Sequence, residues 1–227
     1  MHALAEAAIW CLVTLAVYAG SRKLHQKFGR WWSSPLLLTW TVCGIAIVAT
    51  HTTYHEYLEG THWMVWLLGP ATVAFAIPIH RHREMVRRHW LLLAIGVSVG
   101  CILAVSSSWL LAWGFGLSPQ LRASLLPRSI TTPLAMDASS RLGGSPELTA
   151  VFTALTGLFG AAIGENLLKI LPVTSSLARG ALFGMGAHGA GVAKATELGQ
   201  EEGVIASLIM ILAGQLTVIV VALISSL

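Results

Sequence analysis

Charge is scarce in this sequence. Only 11% of its 227 residues are Asp, Glu, Lys or Arg, while 55% are hydrophobic and the mean hydropathy is +0.72. A soluble domain carries about 25% charged residues, so the composition excludes one and points to an integral membrane protein of one-domain length. Cysteine is scarce too. Cys11, Cys43 and Cys101 stand alone in apolar runs with no CxxC spacing, which leaves no disulfide framework and no thiolate metal site; they read as small buried hydrophobes. No paired-carboxylate dyad, Ser/His/Asp set or phosphate loop with its lysine is present, so the chain reads as no enzyme and implies no cofactor. His51, His55, His62, His80, His82 and His89 lie in or beside loops without metal-ligand spacing. The net charge of +4 is small and the basic residues cluster at the ends of apolar runs. They read as topology signals and not as a nucleic-acid surface. No basic region precedes the first apolar run, so no cleaved signal peptide is expected.

What is abundant is apolar runs. Spans are predicted over residues 5–19, 36–50, 63–79, 90–113, 148–171 and 204–224. Gly69 and Pro70, near the middle of the third, should kink or loosen it. The loop at 51–62 carries Glu56 and Glu59 but no Lys or Arg. By contrast, Arg22, Lys23, Lys27 and Arg30 follow the first span, and Arg81, Arg83, Arg87 and Arg88 follow the third. The positive-inside bias places both basic loops in the cytoplasm and the N-terminus outside.

Two segments resist this reading. Residues 118–144 and 176–199 lie between long apolar runs, yet hold only short apolar pieces, against the roughly 20 residues a spanning helix needs. The first contains Leu125-Leu126-Pro127-Arg128-Ser129-Ile130-Thr131-Thr132-Pro133. The second contains Gly184-Met185-Gly186-Ala187-His188-Gly189-Ala190-Gly191. Lipid cannot satisfy free backbone groups, so such backbone is buried in protein or lines a wet cavity. Broken helices of this kind build transporter sites. If both segments cross, Lys169 and Arg179 lie outside. If both are re-entrant, those two cations lie inside, as the charge rule prefers. Ser129 to His188 is 59 positions, as is Pro70 to Ser129, which is consistent with a faint internal repeat or with chance likeness of small-residue helices.

In the first segment, Ser129, Thr131 and Thr132 suit the N-cap of a helix beginning near Pro133, and Arg128 offers a planar cation for a carboxylate. The competing reading ties off a kink with the hydroxyls and lets Arg128 snorkel. Asp137 and Arg141, one turn apart, should pair. In the second segment, His188 is an ionisable group at membrane depth, open to a substrate or proton role, or else bonded to backbone. Lys194 and Glu197 should form an ion pair, more as a clasp than as a ligand site. Glu165 and Asn166 interrupt an apolar run and face either protein or the interface.

These words resemble the LrgB/CidB family of bacterial membrane proteins. The likeness is carried by Leu67-Leu68-Gly69-Pro70-Ala71-Thr72-Val73-Ala74, by residues 127–136, by Ala187-His188, and by Lys194, Glu197-Leu198 and Glu202-Gly203, with Tyr54 and Tyr57 before Gly60. Members tend to have Arg where Lys194 stands and some have His near Glu165; the first 50 residues match in hydropathy alone. The resemblance implies two functions. One is a holin/antiholin-like regulator of murein hydrolase export and lysis, paired with a small LrgA/CidA-type protein. The other is a carrier like the plastidial glycolate/glycerate translocator and bacterial pyruvate carriers.

The residues favour the second. The expectation is an all-α polytopic membrane protein of about six spans plus two broken or re-entrant segments. It forms one domain over 1–227, with scaffold helices in 1–60 and a core in 61–227. In this reading it carries small monocarboxylates across the bacterial inner membrane, as a dimer. Arg128, Ser129, Thr131 and Thr132 hold the carboxylate, His188 holds the second oxygen or a proton, and Pro70 and Thr72 form a third wall. Lys194, Glu197, Glu165 and Asn166 serve coupling or structure. Elevator-like motion enters by analogy alone, and the lysis regulator is the alternative.

Overall fold

The computed structural model describes residues 2–29, 33–67, 70, 73 and 76–226, and among these every regular element is helical. The chain divides into two units, Met1–Ala71 and Thr72–Leu227.

In the first unit, α1 (His2–Phe28) packs against α2 (Pro35–Ala49) and α3 (Tyr54–Trp66). Trp10 meets Tyr57 edge-on at 5.5 Å, and the Thr14 hydroxyl lies 3.0 Å from the Tyr57 hydroxyl. The sequence reading needs correction here. Residues 51–62 were expected as a loop and 63–79 as a span, but α3 starts at Tyr54 and ends at Trp66. The cause is a capping box: the Glu56 N–H donates to Thr53 Oγ1 at 3.3 Å, and the Thr53 N–H donates to Glu56 Oε2 at 2.6 Å. The Thr53 N–H and the Thr53 hydroxyl, both donating to the carboxylate, hold the Glu56 carboxyl below its ordinary range.

In the second unit, α4 (Ala76–Arg81) leads into α5 (Arg83–Gly114). Then come α6 (Pro119–Leu125), α7 (Thr132–Arg141), α8 (Pro146–Ile170), α9 (Ser176–Leu198) and α10 (Gln200–Ser225). Among the described residues, α5, α8 and α10 are long and apolar enough to cross a membrane, and α2 is apolar but spans only fifteen residues. Ser145 caps α8 by accepting from the Leu148 N–H, with Pro146 in the first turn.

Both polar segments fold back on themselves. Along the first, Ser124 and Ser139 meet at one level of α8: Thr149 Oγ1 lies within hydrogen-bond distance of both Ser124 O (3.0 Å) and Ser139 Oγ (2.7 Å), and the Ser145 N–H donates to Ser124 Oγ (2.8 Å). Arg128, which lies between them in sequence, reaches two turns further along α8 to Thr156. The second segment reverses inside α9, at His188, where φ is 35° and ψ is −118°. As a result Ser176 Oγ, at the start of α9, donates to Glu201 Oε2 at 2.8 Å, just past its end. A straight 23-residue helix would hold its ends about 34 Å apart. Phe183 and Ala195, from opposite limbs, share one buried cluster with Ala206 of α10. The first hairpin is rooted at the start of α8 and the second near its end, where Lys194 pairs with Glu165. The segments therefore enter from opposite ends of α8.

Candidate functional site

The hairpin tips meet between α5, α8 and α10. Met185, from the second, lines one small void with Pro127, Ser129 and Ile130 of the first and with Cys101 and Thr217. Thr131 and Leu134 pack on Gly214 of α10, where a Cβ would strike Leu134 Cδ1 at 2.5 Å.

Arg128 is the charged group at this meeting point. Its Nε donates to Ser108 Oγ of α5 at 2.9 Å and its Nη1 to Thr156 Oγ1 of α8 at 3.4 Å. Among the described residues no carboxylate lies within ion-pair distance of it. Two hydroxyls orient the guanidinium without neutralising it. It borders an open cleft of about 370 Å³ whose walls are Leu125, Phe152, Phe159 and Ile163, with Thr156 and the backbone of Gly160 and Gly186 between them. A planar cation with unspent donors on an apolar wall suits a small anion.

The other expected site residues fall in different places. Thr131 is the N-cap of α7, but its side chain makes no cap bond; α7 opens at Thr132 with Pro133 in its first turn. Ser129 faces the small void and not the cleft. His188 is buried against Gly157, whose added Cβ would stand 2.6 Å from imidazole Cε1. It lies in the α8–α9 seam and does not line the cleft, whereas Gly186 of the same hairpin does. Lys194 bonds Glu197 at 2.9 Å and Glu165 at 3.1 Å, and Glu165 also reaches Lys169 at 3.7 Å, which ties the returning limb to α8. Asn166 Nδ2 donates to Ala162 O in its own helix. Asp137 and Arg141 pair at 2.9 Å. Pro70 is exposed and belongs to the first unit; Thr72 lies outside the described residues.

Sequence reasoning missed Ser108, Thr156 and Thr153. Ser108 ends a run of three serines, and Thr153 and Thr156 lie in an apolar span, where back-bonding to the helix carbonyl is the ordinary fate. Ser108 and Thr156 do back-bond, to Ala104 O and Phe152 O, and still receive Arg128.

The LrgB-like family profile matches residues 14–227. A Bacillus subtilis (strain 168) protein named "Uncharacterized protein YwbG" is 40% identical over 205 residues, covering 90% of this chain and 91% of the relative. YxaC of the same organism, also described as uncharacterized, is 36% identical over 86% of this chain and 84% of its own. The protein named "Holin-like protein CidB" of Staphylococcus aureus (strain Mu50) is 30% identical over 93% of both chains. No solved structure matches.

Proposed function

Because the chain belongs to the LrgB-like family, we propose that it is a holin-like membrane protein. In this reading it helps control murein hydrolase export and cell lysis, together with a small LrgA/CidA-type membrane partner. The supporting observation is the near end-to-end likeness to proteins named holin-like CidB. The chain would sit in the bacterial inner membrane with its N-terminus outside and Lys169 and Arg179 in the cytoplasm, as the basic bias prefers. The test is murein hydrolase activity released into the medium, compared between cells with and without the chain, each with and without the partner. A change that requires both proteins supports the reading. Equal release in all four strains removes it.

A second reading rests on Arg128. An uncompensated guanidinium on a cleft between two folded-back hairpins is more than a lesion-forming bundle of apolar helices requires. It is what passage of a small monocarboxylate such as glycolate or pyruvate calls for. Saturable uptake of labelled acid into proteoliposomes that is lost in Arg128→Ala supports this. No saturable uptake, with or without the partner, rejects it and leaves the first reading standing.

A further inference from the structure

His188 and Thr153 make a buried polar pair apart from the Arg128 cleft. His188 is 5% exposed and Thr153 fully buried, and both His188 Nε2 and Thr153 Oγ1 lack a hydrogen-bond partner. The two residues are neighbours: the imidazole meets the Thr153 backbone and packs against Gly157, one turn further along α8. The residue sits at a positive φ that L side chains rarely adopt, in a stretch where Gly186, Gly189 and Gly191 stand beside it. A glycine at position 188 would accept that backbone without strain. The imidazole is the one feature that this costly choice of residue supplies.

We propose that His188 Nε2 and Thr153 Oγ1 share a bound water molecule, forming a second polar site behind the Arg128 cleft. Both groups are uncharged hydrogen-bonding atoms, and one water can donate to one and accept from the other. An anion would need the charge that Arg128 spends on the far side of Thr156. A metal ion would need a ligand cluster, and none is present among the described residues. Gly186, two residues before His188, lines the Arg128 cleft, and a Cβ there would meet nothing within 4 Å. The inference stands whether the chain regulates lysis or carries acids.

Solid-state NMR of the full chain in lipid bilayers, labelled with ¹⁵N-histidine, tests it. The His188 ring signals are assigned by their loss in His188→Gln. Magnetisation transfer from water to the His188 ring is expected in the native protein and in Thr153→Ser, and its loss is expected in Thr153→Val. The signals of the remaining histidines report that the fold survives. A dry His188 ring in the native protein overturns the proposal, as does undiminished transfer in Thr153→Val. If Thr153→Val does not fold, the native measurement decides alone.

Discussion

Glycines set how closely these helices approach. A methyl group on Gly160 of α8 would collide with Gly186 O, and one on Gly184 of α9 with Ala206 O of α10; in each case the obstacle is backbone that cannot rotate away. Gly160→Ala should therefore lower stability by about 1–3 kcal/mol, seen as a lower Tm of the purified protein in detergent. Gly186→Ala, with open space at its Cβ, should leave Tm unchanged or raise it. Hydroxyls follow a similar logic. Thr149 is fully buried and serves Ser124 O and Ser139 Oγ together. Thr149→Val should cost about 1–3 kcal/mol by leaving buried groups unpaired; a Tm equal to wild type would contradict that. The glycines of the second hairpin were legible as a cluster, but their spacing could not say which face a backbone and which face open space. That division depends on the reversal at His188.

At the scale of elements, prolines, glycines and hydroxyls marked 118–144 and 176–199 as broken segments, because their short apolar pieces fall short of a spanning helix. Whether they crossed or turned back was not legible. Local composition is the same in both cases, and only the pairing of Ser124 with Ser139 and of Ser176 with Glu201 decides it. The start of α3 was legible in Thr53-Tyr54-His55-Glu56 as a capping box, but the acidic loop was read for topology alone. The Lys194–Glu197 pair was visible at helical spacing, whereas Glu165 belongs to another helix and needed the fold to bring it near. We expect that interhelical bond to couple the returning limb to α8 by about 1 kcal/mol, the upper end for partly exposed pairs. A double-mutant cycle with Glu165→Gln and Lys194→Met measures it. A coupling of zero would reduce the contact to an incidental one.

At the scale of the molecule, two hairpins rooted at opposite ends of α8 meet at their tips among three membrane-length helices. This places the uncompensated Arg128 guanidinium at the border of the cleft to which both hairpins contribute wall. Arg128→Lys keeps the charge but loses the fork that reaches Ser108 and Thr156 together. If the chain passes small acids, this variant should lose most uptake while its Tm stays near wild type. Uptake equal to wild type would take Arg128 out of the site.

The arrangement is tested most directly by asking on which side the roots of the hairpins lie. Single cysteines at Ser118 and Glu147 bracket the first hairpin, and cysteines at Thr174 and Gln200 bracket the second; all four positions are exposed. They would be introduced after Cys11, Cys43 and Cys101 are replaced. With a membrane-impermeant maleimide, 118 and 147 should label from one face and 174 and 200 from the other. Labelling of 118 and 147, or of 174 and 200, from opposite faces would mean that the segment crosses the bilayer, and the paired-hairpin account would be wrong.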